Sequence, residues 1–173
     1  KSTNINNEIN DQLLTFSPVK SDLVTEQENL IVDPLTEEES DLAVILIVED
    51  NEDVRNYIQS CVSEKFKVIT AVNGVDGLNK ALEFMPDIII SDVMMPEKDG
   101  FTLCDDIKNN PITSHIPVIL LTAKVDAKSK IEGLRKGADS YLAKPFDREE
   151  LLLILDNMIS LIRSMQIRHY AIM

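Results

Sequence analysis

Five short apolar or β-branched runs, each followed by a stretch of helical periodicity, restrict this chain to one kind of architecture. The runs are residues 43–48, 67–71, 87–90, 117–121 and 140–143. The central one, at 87–90, has the composition of a strand buried on both faces of a parallel sheet. Between the runs lie amphipathic helices. The first repeats Val54, Tyr57, Ile58, Cys61 and Val62 at three- and four-residue steps, with Asp50 or Asn51 as its cap. The second spans 75–85 after an Asn73-Gly74 turn, turns Leu78, Ala81 and Leu82 inward, and is closed by Pro86. The third spans 101–108 and stops at Asn109, Asn110 and Pro111, and the fourth spans 126–136 with Gly137 as its cap. A fifth starts near Asp147 and carries the stripe Leu151, Leu155, Met158, Ile162 and Met165. Five strands alternating with five helices imply right-handed crossovers and an α/β, doubly wound parallel sheet with helices on both faces.

The chain has 173 residues, enough for one domain with some length left over. Residues 1–41 hold ten acidic and two basic side chains and no sustained period, a composition that cannot offset chain entropy by apolar burial. They read as an acidic linker, disordered or docked on a neighbour, followed by a folded domain over 42–160 and a helical connector over 161–173. A chain that opens on Lys1 and stops inside an apolar helix reads as a piece of a longer protein. The formal net charge of −13 repels nucleic-acid phosphates, so direct DNA contact is not expected. No apolar run approaches the roughly 20 residues of a membrane span. Cys61 and Cys104 fall in helical stripes, match no metal spacing, and read as reduced core residues of a cytoplasmic protein.

Chemistry collects where the strands end. In open α/β sheets ligands bind beyond the carboxyl ends of the strands. The first strand ends on Glu49 and Asp50, the third on Asp92, the fourth on Thr122 and the fifth on Lys144. Pro96 and Gly100 force a loop just after Asp92. Taken singly, each has a plain reading: Glu49-Asp50 as the opening of a helix, Asp92 as a turn residue, Thr122 as a strand-end hydroxyl, Lys144 as a solvated turn residue. Jointly they place functional groups at four of five strand ends. If the first and third strands are neighbours, three carboxylates share one crevice and resist ionising together unless a cation sits among them. Oxygen-only donors on an open site suit Mg²⁺, with Mn²⁺ as a substitute and the backbone carbonyl of Met94 as a further ligand. A cation, an ammonium and a hydroxyl around a carboxylate are what a phosphoryl group in transfer requires, which makes Asp92 the candidate nucleophile. Ala123, beside Thr122, leaves room for that group.

The segments VILIVEDN, PDIIISDVMMPEKDG, PVILLTA and GADSYLAKPF resemble, in order and spacing, the signature segments of the receiver domains of two-component response regulators. The resemblance covers residues 43 to about 160. It implies a flavodoxin-like sheet of order 2-1-3-4-5. It also implies Glu49 and Asp50 as the acidic pair, Asp92 as phosphoacceptor from a phosphohistidine domain, Thr122 and Lys144 as switch hydroxyl and lysine, and Tyr141 as the switch aromatic. Glu49 stands where the family more often has Asp, which lengthens one ligand and keeps its charge. A finer resemblance, in TSHIPVILLTAK and KIEGLRKGADSYLAKPF, is to receivers within hybrid histidine kinases, where kinase, receiver and sometimes an AraC-type DNA-binding domain share one chain. Phosphorylation is then expected to switch the surface of the fourth helix, fifth strand and fifth helix, with pairing of two receivers as one outcome.

Three other functions compete. A flavodoxin-like cofactor binder shares the sheet order, but Glu49-Asp50-Asn51 would repel a phosphate in the loop where that fold binds one, and the chain has no Trp. A phosphatase using an aspartyl phosphate needs a general acid two residues after its nucleophile, and that position is Met94. A receiver fold serving only for dimerisation would have no need of the intact five-residue site.

Overall fold

A computed structural model of the chain describes residues 42–123 and 127–172. The acidic segment expected as a linker lies outside the described residues, as does Asp126, the expected start of the fourth helix. The elements follow the alternation read from the sequence: β1 (Val44–Val48), α1 (Glu52–Val62), β2 (Lys67–Ala71), α2 (Gly74–Phe84), β3 (Ile88–Asp92), α3 (Gly100–Asn109), β4 (Val118–Thr122), α4 (Ala127–Arg135), β5 (Ser140–Ala143) and α5 (Arg148–Ile172). All strand pairs are parallel, in the order β2-β1-β3-β4-β5.

The central position of β3 explains its sequence: every residue from Ile88 to Asp92 is buried, as the unbroken apolar run demands. Alternate strand residues supply two separate cores. Ile45, Ile47, Ile90 and Leu121 face α1 and α5, packing on Ile58, Val62, Leu151 and Leu155. Leu46, Val48, Ile89 and Leu120 face the other way, onto Ala81, Leu103, Cys104 and Ile107 of α2 and α3. Period-two alternation on strands and period-3.6 stripes on helices therefore meet at both layers.

Side chains tie down the entrances to strands and helices. Asp87, read from sequence as the first strand residue, stands before β3 and accepts a 2.7 Å hydrogen bond from the backbone N–H of Val44. Asp139 does the same before β5, accepting from Val118 N–H at 2.8 Å. Each carboxylate satisfies the first donor of a neighbouring strand, where the ladder has no carbonyl to offer. Asn51, and not Asp50, caps α1 by accepting from Val54 N–H at 3.0 Å. Asn73 caps α2 in place of the expected free turn, which moves its start to Gly74. Met85 ends α2 in a left-handed conformation directly before Pro86, and Gly137 ends the loop after α4 at φ 83°.

Two inward assignments fail. Leu82 is 39% exposed and Tyr57 45% exposed. Both lie beside the buried residues of their helices, Ala81 and Ile58, and not among them. Tyr57 instead sits 6.0 Å, centroid to centroid, from Phe146. No break separates residues 160 and 161, because α5 continues as one helix to Ile172. Ile162 still packs on the domain, whereas Met165, Ile167, Tyr170 and Ile172 are 67–86% exposed.

The paired aspartate caps generate a test. Asp87→Ala leaves Val44 N–H unsatisfied at the strand entrance and is expected to lower stability by about 1–2 kcal/mol, whereas Asp87→Asn, which keeps an acceptor, loses less. Urea denaturation midpoints of the three proteins check the order.

Candidate functional site

The carboxyl ends of β1, β3, β4 and β5 converge. Glu49 follows β1 directly and is 1% exposed, while Asp50, one residue further, points to solvent. Asp92 is the last residue of β3 and is 7% exposed. Carboxylate oxygens of Glu49, Asp50 and Asp92 all lie within 4.8 Å of one another. Lys144, leaving β5, reaches into this cluster, its Nζ 2.9 Å from Glu49 Oε2 and 3.0 Å from Asp92 Oδ1. Thr122 ends β4 and is also 7% exposed, with the Lys144 backbone N–H donating to its carbonyl at 2.8 Å.

Each position follows from local structure. Asp92 can be buried because its strand neighbours β1 and β4 flank it on both sides. Its loop returns tightly: Gly100 N–H donates to Val93 O at 3.0 Å, and a Cβ at residue 100 would lie 2.2 Å from the Asp92 carbonyl oxygen. Only glycine allows that approach. Glu49 is held from two directions, its Oε1 accepting from Asn51 N–H at 3.1 Å and its carbonyl from Arg55 Nη1 at 2.9 Å. Arg55 was not legible as part of the site, because its charge acts on a backbone oxygen that sequence does not display.

Three carboxylates are balanced by one ammonium here. Burial works to lower the Lys144 ammonium, but hydrogen bonds to Glu49 and Asp92 outweigh it and hold the group above its ordinary 10.5. Burial raises the Glu49 carboxyl above its ordinary 4.5, reinforced by the charge of Asp92 and opposed by the Lys144 hydrogen bond. A cluster made only of oxygen donors and open on the Asp50 side fits a hard divalent cation.

The structure brings together Glu49, Asp50, Asp92, Thr122 and Lys144. Met94 stands apart in one respect: its side chain is 76% exposed, so only its backbone has ligand chemistry to offer. Tyr141 lies on β5 paired with Leu120, and by strand alternation it shares a face with Thr122. Its ring packs inward with the core of α2 and α3.

The raised Glu49 carboxyl makes a signed prediction for metal-free protein. A group whose folded value exceeds its unfolded one contributes stability that is present below the unfolded value, near pH 4.5, and lost as pH rises through the folded value. Glu49→Gln mimics the neutral form and is expected to melt higher than the parent at pH 7 in EDTA. The gap should close as pH falls toward 4.5. A variant melting lower across the whole range would show that the charged Glu49 is net stabilising.

Comparison with known proteins agrees with this geometry. The chain is 42% identical over 132 residues to histidine kinase P4 of Formosa agariphila, covering 76% of this chain and 10% of that protein. It is 45% identical over 106 residues to the response regulator PleD of Caulobacter vibrioides, covering 61% of this chain and 23% of that protein. The chain thus spans under a quarter of these relatives' lengths. Among solved structures, the chemotaxis protein CheY4 of Vibrio cholerae superposes with a TM-score of 0.65 at 32% identity, over 68% of this chain and 98% of that one. The receiver domain of sensor histidine kinase PA1611 from Pseudomonas aeruginosa, solved with a magnesium ion coordinated in its active-site cleft, gives a TM-score of 0.64 at 30% identity, over 68% and 98%. The response regulator receiver domain matches residues 45–156, and with the sheet order and the clustered strand ends this places the chain in that family, as a receiver domain of two-component signalling.

Proposed function

We propose that Asp92 is the acceptor of a phosphoryl group donated by a phosphohistidine, and that Mg²⁺, or Mn²⁺ in its place, is held by Glu49, Asp50, Asp92 and the backbone carbonyl of Met94. The observation that carries this reading is the position of Asp92: a buried carboxylate closing the central strand, inside an acidic cluster and 3.0 Å from one ammonium. In the transfer, a carboxylate oxygen of Asp92 forms a bond to phosphorus as the phosphorus–nitrogen bond of the donor breaks, its electron pair remaining on the imidazole. Lys144 offers its ammonium to the incoming phosphoryl oxygens, and the Thr122 hydroxyl lies at the adjacent strand end, with small Ala123 beside it. When bound, the divalent cation supplies charge neutralisation for those oxygens. The coordinated magnesium in the PA1611 receiver supports the same assignment.

Around this core the wider reading follows. The kinase relatives support a parent chain in which kinase and receiver are joined, with residues 1–41 as a linker and 161–173 as a connector to an output module. The free, buried Cys61 and Cys104 support a reducing, cytoplasmic setting. Among the described residues no helix is long and apolar enough to cross a membrane. Thr122 and Tyr141, on one face of neighbouring strands, are the pair through which phosphate state reaches the α4-β5-α5 surface.

Incubation with acetyl phosphate and Mg²⁺ should add one phosphoryl mass to the parent and none to Asp92→Asn; the added mass should be lost in base, and it should not form when EDTA is present from the start. Full labelling of Asp92→Asn places the acceptor elsewhere, and an unlabelled parent favours a fold kept only for pairing. The exposed apolar side chains at the end of α5 make pairing measurable as well. Sedimentation of chains ending at Met173 and at Ile159, with and without a phosphoryl mimic, should show mimic-dependent association, and its persistence in the shorter chain would assign it to the domain surface.

A further inference from the structure

The hydroxyl of Tyr141 is the buried side-chain polar atom that has no hydrogen-bond partner among the described residues. An unpaired buried hydroxyl carries a desolvation cost, so something other than hydrogen bonding keeps this ring inside. What it occupies is visible on α4. A Cβ built on Gly133 would lie 0.9 Å from the Tyr141 hydroxyl oxygen, 2.2 Å from Cζ and 3.0 Å from Cε1. The phenol therefore fills the volume that any other residue at 133 would need for its first side-chain atom.

We propose that Gly133 is the positioning residue for Tyr141: its missing side chain is a slot on α4 that admits the inward ring, and a β-carbon there excludes it. The inward position is held by shape and apolar contact alone. Leu120, paired with Tyr141 across β4 and β5, and the α3 residues Leu103 and Cys104 belong to the same core. Outward, the ring would lose that contact but its hydroxyl would regain water, since β5 is the edge strand of the sheet. Apolar packing thus opposes hydroxyl solvation, and the inward side of that competition depends on a residue eight positions earlier in sequence. Because α4 lies on the surface assigned above to the phosphate-dependent change, Gly133 couples the pose of α4 to the pose of the ring; this consequence rests on that assignment, whereas the slot itself does not.

A glycine within a helix is ordinarily improved by alanine, so a simple structural role predicts a neutral or stabilising Gly133→Ala. The slot predicts something different. The chain has no Trp and three Tyr, so Tyr57→Phe with Tyr170→Phe leaves Tyr141 as the sole fluorescent tyrosine. In that background, without phosphodonor, Gly133→Ala is expected to raise acrylamide quenching of Tyr141 several-fold at unchanged helix content. Unchanged quenching in a folded variant overturns the inference. Should Gly133→Ala prevent folding, Tyr141→Val decides, because valine stops short of the slot. Recovery of the fold by adding Tyr141→Val to Gly133→Ala supports the slot, and failure to recover it assigns Gly133 a role unrelated to Tyr141. The acceptor reading fails on the mass of phosphodonor-treated protein, and this inference fails on the quenching of untreated protein, so the two can be told apart.

Discussion

The ammonium of Lys144, shared at 2.9 and 3.0 Å between Glu49 and Asp92, is the interaction on which the arrangement of this site depends. It links the exits of the neighbouring β1 and β3 to that of β5, which lies beyond β4 in the sheet. Two buried carboxylates without it would repel across a poorly screened gap, and burial alone already works against charge on Glu49. The pair is not an ordinary surface ion pair, because Glu49 and Asp92 are almost fully buried while Lys144 keeps partial contact with solvent. Lys144 is the cation that reaches the carboxylate oxygens of Glu49 and Asp92, while Arg55 stands against the backbone carbonyls of Glu49 and Asp50. The crowding of oxygen donors in this cluster is the physical ground for the divalent-cation assignment proposed above.

Such a cluster could not persist on loops alone. The rigid part is the pair of apolar layers beneath it, in which β3 is covered on both faces and each strand end is held in register by parallel pairing. Backbone detail then sets the last ångström. Gly100 lets the chain return against the Asp92 carbonyl, and Arg55 holds the Glu49 carbonyl from the first turn of α1. Stability is thus concentrated in the sheet and chemical frustration at its edge, the usual division in α/β proteins whose sites lie beyond the strand ends.

Tyr141 shows the same division on a smaller scale. Its burial pushes the phenol up to about 12, the signature of a hydroxyl removed from water without compensation. The ring stays because a glycine on a neighbouring helix makes room and because the core beneath is apolar. The side chain is thus held by packing against the preference of its own polar atom.

Strands, helices and their order were legible because each element carries its own period and its own stop signals: Pro86 after α2, Gly137 after α4, and acidic or amide caps before the helices. The chemical types at the strand ends were legible for the same reason, since a carboxylate closing an apolar run has no packing rationale. What sequence could not display was which of two adjacent acids turns inward. Glu49 is buried and Asp50 exposed because the Glu49 N–H still bonds Ala71 O of β2 at 3.1 Å and the chain turns away from the sheet only after it, a matter of backbone direction and not of residue type. Leu82 and Tyr57 read as core because periodicity marks a stripe without saying how wide the opposing surface is. The contacts of Lys144 with Glu49, of Asp87 with Val44 and of Tyr141 with the space over Gly133 join residues 95, 43 and eight positions apart, and only strand order and helix placement bring them within reach. Local chemistry determined the parts of this receiver domain. Tertiary packing decided which charges are shielded, which are shared, and which side chain fills the space over Gly133.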